Sequence, residues 1–438
     1  MSKKKSLRCF FALFLLFSFQ CSYGEETLKT TELPEPLPLD FALSLAQDEK
    51  HVSLQKNQAK IDEQLALDKQ LQSSRNLQLG LKANAWLVEP SNALAQSIDN
   101  RKTPHLISLY GSKLIYDFGR LSIDEEVQQY HLDVVDLKKT IIKRENYLKI
   151  LNDFFDVLLA DLKHAYHNEA LAMAYIRYDR GKTYYEQKKI SELDLMDLEN
   201  KNMIASDDFF ESGQEQRLTR SKLSQSINKA GTLPDKLIFP DWKKHPQLSL
   251  NRKLPTFEKL LTNALNNNKQ INLLKQELKV LELNVERSKL DNSPSLTGLF
   301  SGNWYARELS GGDQLKLGIQ LDIPLYDGGK FQSRKTIALS KVHDMQAELR
   351  AIEMQVEQEL LSTTQLINTL KRRDKRLSQM VSLSEQILDK NRIDYDLEFK
   401  SDLGNSMVNL SFSQMQYHQN RFDLAYQWAV LDSLTGNY

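Results

Sequence analysis

Between positions 315 and 325, apolar side chains fall on Leu315, Leu317, Ile319, Leu321, Ile323 and Leu325, with Lys316, Gly318, Gln320 and Asp322 between them. A period of two predicts a strand, here over 314–326, with one apolar and one wet face. The alternation halts at Tyr326-Asp327-Gly328-Gly329. Aspartate suits a turn or a helix N-cap, and glycine permits backbone angles closed to other residues. Beyond Lys330 the apolar spacing becomes helical, through Ile337, Val342, Leu349, Val356, Leu360, Leu366 and Leu370 to about Tyr395. The pattern thus predicts a strand feeding directly into a very long helix.

The same succession occurs earlier. A helix is predicted from Asp40 to about Ser73-Ser74. A strand follows over 76–88, with Leu77, Leu79, Leu81, Ala83 and Ala85 alternating with polar neighbours. After a polar loop, a return strand over 105–116 ends in Tyr116-Asp117-Phe118-Gly119-Arg120, which parallels Tyr326-Asp327-Gly328-Gly329-Lys330. A long helix then runs from Gly119 to about Gly181, and at about 1.5 Å per residue it spans on the order of 90 Å. The later copy has its own leading helix (Phe257 to Leu290) and a strand over 295–307. Each long helix is followed by a shorter one, Ser191 to Asn228 and Ser401 to Leu434. The chain therefore reads as an internal duplication: 25–231, a proline-bearing link at 232–255, and 256–438. In each half the two shorter helices total roughly the length of the long one. They are expected to stack end to end against it, as antiparallel coiled-coil pairs.

The chain has 438 residues, and its 58 basic and 58 acidic side chains cancel, so nothing argues for a nucleic-acid groove. Residues 1–24 read as a signal peptide: Lys3, Lys4, Lys5 and Arg8, an apolar core from Cys9 to Phe19, and small residues at Ser22 and Gly24. The alternative is lipidation of Cys21, against which Gln20 stands where such signals need a small residue. Cys9 and Cys21 are the only cysteines, so the mature chain has no internal disulfide and no cysteine metal site. No later stretch approaches about 18 consecutive apolar residues, which excludes a transmembrane helix.

The strands are long enough to cross a bilayer at a tilt, for which about 9–11 residues suffice. Four strands cannot close a useful barrel, and an open sheet in lipid leaves its edge amides unpaired. Several copies must then share one barrel. The alternative is a soluble sheet with its apolar face on a core, but every helix is already committed to a bundle. The expected fold is mainly α with a membrane β-barrel portion.

The chain resembles the TolC-like outer-membrane efflux proteins over essentially its whole mature length. The most specific pieces are Ile323-Pro324-Leu325-Tyr326-Asp327-Gly328-Gly329, its counterpart Leu114-Ile115-Tyr116-Asp117-Phe118-Gly119-Arg120, and the closing stretch from Ser401-Asp402-Leu403 to Leu434-Thr435-Gly436. The resemblance implies a homotrimer. Each protomer would give four transmembrane strands to one twelve-stranded barrel, continued as an α-helical tunnel through the periplasm. It implies passive export of small molecules or polypeptides, without catalysis or cofactor. An inner-membrane RND, ABC or MFS pump would drive that export through a periplasmic adaptor. The gate of such proteins lies at the far helical turns, where Asp402 and Asp194 match the family's aspartates, with Asp197 as alternate to Asp194. A ring of symmetry-related carboxylates there would bind cations and repel itself on contraction. Alternatively, these are solvated helix-start aspartates favoured by the dipole. The adaptor contact would involve Lys400, Ser401 and Ser191. The sequence departs from the family in reading Leu397-Glu398-Phe399-Lys400 where a glycine is usual, and in lacking a first-copy match to Pro294.

Other clusters read more plainly. Asp161, His164 and His167 share a helix face, but with no fourth ligand nearby they read as a solvated flank and not as a metal site. Lys371-Arg372-Arg373, with Lys375 and Arg376, reads as an exposed basic face. Trp86, Tyr110, Trp304, Tyr305 and Tyr326 fall where an interfacial aromatic girdle would want them. A relative that keeps this shape without transport, acting structurally, stays open on the sequence; a different class of function, a periplasmic adaptor or scaffold with coiled-coil hairpins, would need just one hairpin and separate small β-domains. The doubled strand pairs speak against it.

Overall fold

Pairing of the alternating segments comes first, because each leaves its backbone amides free for a neighbour. In a computed structural model, residues 33–85, 106–231, 235–249, 251–305, 314–397 and 402–437 are described. Strands β1 (Gln78–Asn84), β2 (Leu106–Tyr116), β3 (Ser295–Tyr305) and β4 (Leu315–Asp322) form one antiparallel sheet in chain order. The two halves meet at β2 and β3, where Leu109 faces Gly302 and Ser108 Oγ lies 2.7 Å from Asn303 Oδ1. Gly80 lies opposite Tyr110, whose ring occupies the space a Cβ at Gly80 would need.

The strands are narrower than expected: β1 starts at Gln78 and ends at Asn84, inside the 76–88 predicted, and β4 starts one residue later than 314. β4 stops at Asp322, four residues before 326, because Pro324 has no amide hydrogen to continue the ladder. Positions 86–88, 105 and 306–307 lie outside the described residues, as do the leader and Cys21.

The helices are α1 (Leu39–Ser44), α2 (Val52–Ser73), α3 (Arg120–Glu186), α4 (Glu192–Ser226), α5 (Phe257–Asn267), α6 (Lys269–Lys289), α7 (Lys330–Asp396) and α8 (Leu403–Thr435). Both long helices, α3 and α7, have 67 residues, so each rises about 100 Å. The leading helices, expected as single rods, are each broken. The first is interrupted between Ser44 and Val52, where His51 accepts from the Ser53 amide as N-cap of α2. The second breaks at Asn268, which is buried, caps α6 by accepting from Gln270 and Ile271, and donates to Leu434 O at 3.0 Å. Neither break carries a proline or glycine, so nothing local announces it.

Along α3, helices α2 and α4 abut end to end. His51 Nε2 lies 3.0 Å from Ser226 O, and Asn228 donates to Lys50 O at 3.1 Å. Along α7, the end of α8 meets the α5–α6 break in the same manner, with Gly436 against Asn267. The main core lies where α3 and α8 cross. Phe155 stacks on Phe422 at 4.8 Å, and Trp428, Phe154, Ile150 and Leu151 are fully buried around them. The lead-in and the link are strapped over this core by a parallel bridge, Leu37 to Leu237.

Candidate functional site

Two kinds of place depart from plain packing: the junctions between sheet and long helix, and the far tip of the helices. At each junction one aspartate organises the turn. Asp117 accepts from Gly119 N (3.2 Å) and Leu121 N (2.7 Å), while Asp327 accepts from Gly329 N (3.0 Å) and Phe331 N. Two consecutive left-handed residues precede each helix: Phe118 and Gly119 at φ 58 and 91, Gly328 and Gly329 at φ 70 and 87. Glycine is the residue that meets this need without steric penalty, and Phe118 is the exception. Tyr116 packs on Phe118 at 4.8 Å, and Tyr326 stands 89% exposed. Tyr110 and Trp304 are exposed on the sheet, whereas Trp86 and the Tyr305 side chain lie outside the described residues.

At the tip, α4 begins with a reciprocal capping box. Ser191 Oγ accepts from Asp194 N, and Asp194 Oδ2 accepts from Ser191 N at 3.0 Å. The bonds from Ser191 hold the Asp194 carboxyl below the usual aspartate range. Asp197 is occupied one turn later by Lys201, four residues on. Asp402 caps α8 by accepting from Asn405 N (3.3 Å), and its other oxygen lies 3.4 Å from Arg177 Nη2 on α3. Asp402 is therefore joined to the other half of the chain, while Asp194 and Asp197 bond within α4. Lys400 and Ser401 lie outside the described residues, as do Glu398 and Phe399.

Sequence reasoning passed over the seam that carries Asp402. From the core to the tip, α3 and α8 meet through Tyr166–Phe412, Glu169–Ser411, Met173–Gly404 and Arg177–Asp402. Gly404 packs against the end of the Met173 side chain, which would have to move aside for a Cβ at this position. No local signal marks the partners, which are more than 200 residues apart in the chain.

Asp161, His164 and His167 are not on a solvated flank. They lie in the α3–α4 seam, with Asp161 held by Arg220 (2.6 and 3.0 Å), His164 bonded to Ser212 and stacked on Phe209, and His167 near Asp208. Burial lowers the His167 pKa. Among the described residues no cluster of His, Cys, Asp or Glu is arranged to hold a metal, and no helix is long and apolar enough to cross a membrane. In the basic run, Arg372, Arg373, Lys375 and Arg376 are exposed, whereas Lys371 turns inward to bond Arg252 O at 2.7 Å.

Comparison with known proteins agrees with this geometry. Residues 260–437 match the family described as outer membrane efflux protein. No curated protein matches the chain in sequence. Among solved structures, the chain is similar to the outer membrane protein VceC from Vibrio cholerae, at 15% identity and TM-score 0.68, covering 91% of this chain and 96% of that one. It is also similar to the open state of the Neisseria gonorrhoeae MtrE outer membrane channel (15% identity, TM-score 0.70, 91% and 89% covered). A third is the Campylobacter jejuni CmeC outer membrane channel (13% identity, TM-score 0.70, 91% and 85% covered). These identities speak for a shared fold.

Proposed function

We propose that this protein is the outer-membrane duct of an export system, a reading supported by the match of residues 260–437 to the outer membrane efflux protein family and by a fold similar to that of outer-membrane channels. Three copies contribute four strands each to one barrel, and their helices continue it as a tunnel into the periplasm. The duct is passive: an inner-membrane pump of the RND, ABC or MFS class drives small molecules or polypeptides through it, reached by a periplasmic adaptor at the tip around Ser191, Lys400 and Ser401. Asp402, with Asp194 or Asp197, forms the gate.

One observation carries this reading. Among the described strands β1 and β4 stand at the two edges of the sheet, and both carry exposed apolar side chains. Leu79 and Leu81 are 62% and 69% exposed, and Leu317 and Ile319 are 84% and 72% exposed. Free edge amides beside apolar side chains are stable in lipid only if another strand pairs with them. A purified sample should run as a heat-modifiable trimer from the outer-membrane fraction and conduct in planar bilayers. A detergent-extracted monomer that stays folded overturns the proposal. Deleting the gene should raise sensitivity to a panel of toxic compounds, restored by the wild-type chain and altered by Asp402→Ala.

A further inference from the structure

Toward the tip the helices form one layer in the order α4, α3, α8, α7, and toward the sheet the order is α2, α3, α6, α7. Among the described residues neither α2 nor α4 touches α7, so they stand at opposite edges of the layer. Both edges carry a second apolar stripe. On α4, Leu195, Leu198 and Phe209 lie against α3, whereas Met196, Met203 and Phe210, at heptad spacing, are more than half exposed. On α7, Leu377 and Leu388 are buried, whereas Leu383, Ile387 and Ile393 are exposed. A helix packed on one side only needs one apolar stripe, not two.

The two edges match in level. Through α8, Ile393 stands level with Met173, because Asn391 bonds Ser406 and Met173 packs on Gly404. Along α3, Met173 falls between His167 and Gly181, which meet Asp208 and Leu198, so Met203 shares that level. The same steps, Ser384 to Ser413, Phe412 to Tyr166 and His164 to Phe209, set Leu383 level with Phe210. Near the sheet, Gln128 bonds Gln64 and Arg287 bonds Asp124. At that height Leu283 and Val285 share with Leu339 and Val342 the wall of a groove of about 330 Å³. Leu65 and Leu67 on α2 stand at the same height, both exposed. Charge agrees as well, since Asp207 on α4 and Lys390 on α7 are exposed within a turn of one level. Within one chain these faces cannot meet, because α3 and α8 separate them. Between neighbouring copies they fit edge to edge, a head-to-tail contact of the kind that closes into a ring.

We propose that α4 of one copy packs along α7 of the next, Phe210 on Leu383 and Met203 on Ile393, with α2 seated over the groove beside Leu339. This rests on the channel reading above and names the surface by which copies join outside the sheet. Residues 25–438 hold no cysteine, so introduced pairs can be oxidised selectively. A disulfide needs Cα atoms within about 7 Å, so linkage reads the register directly. The test is mild oxidation of outer membranes carrying the full chain, followed by denaturing gels without reductant. Phe210→Cys with Leu383→Cys should link the chain into dimers and trimers that reductant dissolves. Each single variant should stay monomeric, since a head-to-tail contact does not place a residue opposite itself. Phe210→Cys with Leu339→Cys, on the same helices at the wrong level, should link at least tenfold less. Should the Phe210 pair disturb assembly, Met203→Cys with Ile393→Cys must link in its place. The inference fails if neither pair links copies, if the link forms within one chain, or if the wrong-level pair links equally. Bilayer conductance of the same samples keeps the two proposals apart. A conducting trimer whose pairs stay unlinked sinks only this inference, and a wild type that neither assembles nor inserts sinks the channel reading.

Discussion

Arg177 and Asp402 lie 3.4 Å apart, and this contact ties the long helix of the first half to the first turn of the last helix. Both side chains are about half exposed, 47% and 61%, so the pair adds at most about 1 kcal/mol to stability. Its consequence is positional. Asp402→Asn keeps an N-cap acceptor but removes the charge. It should leave the melting temperature nearly unchanged and raise single-channel conductance in planar bilayers. Arg177→Gln should do the same, and the double variant should gain no more than either single one. Additive gains would mean that the two residues act separately.

Gly436 and Gly231 both have left-handed backbones, at φ 70 and 80, but their surroundings differ. A Cβ at Gly231 meets nothing within 4 Å, whereas at Gly436 it would sit 2.4 Å from Asn267 O. Gly231→Ala should therefore cost only the left-handed strain, about 1 kcal/mol. Gly436→Ala adds a clash with backbone at the break that joins α5, α6 and α8. It should destabilise by clearly more, about 2–4 kcal/mol, in denaturant titrations. Equal costs would show that the α8 end is not seated on that break.

The legible and illegible parts of this chain divide by the range of the interactions that set them. Alternation from Leu315 to Leu321 announces β4, and apolar spacing announces both 67-residue helices, because burial on one face imposes a period. The Asp-x-Gly turns could be read because an aspartate bonding two residues ahead is a local event. The end of β4 was overrun, since the alternation passes through Pro324 although the hydrogen-bond ladder cannot. The breaks at Ser44–Val52 and Asn268 were hidden. Asn268 in sequence is merely one of several asparagines, and only the distant Leu434 carbonyl gives it a role. At the tip, likeness to a family singles out Asp402 but gives no sign of its contact with Arg177, because the two come from different halves of the chain.

Asp153 lies buried in α3 beside the core, and its Oδ2 has no hydrogen-bond partner among the described residues. Burial raises its pKa, against which a bond from Ser226 acts, and burial together with the Asp153 charge raises that of Asp156. An unfolded aspartate ionises near 3.8, so folding takes up protons between that value and the raised one. The contribution to stability is full below 3.8 and is lost as pH rises through the raised value. Asp153→Asn, which can still accept from Ser226, should melt higher than wild type at pH 7. The difference should vanish near pH 3.5, where wild type is protonated as well. A variant that melts lower at pH 7 would mean that the charge has a compensating partner.

Along β4, neighbouring residues face opposite sides of the sheet, so Ile319 and Gln320 sample two environments on adjacent backbone atoms. Ile319 pairs with Gly298 and is 72% exposed, and Gln320 pairs with Thr297. If the apolar face meets lipid, Ile319→Arg places a charge in the bilayer at about 2–4 kcal/mol near its midplane. Gln320→Arg, on the wet side, should be accepted and should shift ion selectivity. The measure is the fraction of chain recovered as heat-modifiable trimer in the outer membrane, lowered at least tenfold for Ile319→Arg and near wild type for Gln320→Arg. Equal recovery of both would mean that this face never sees hydrocarbon. The edge strands β1 and β4 would then need a different explanation from a shared barrel.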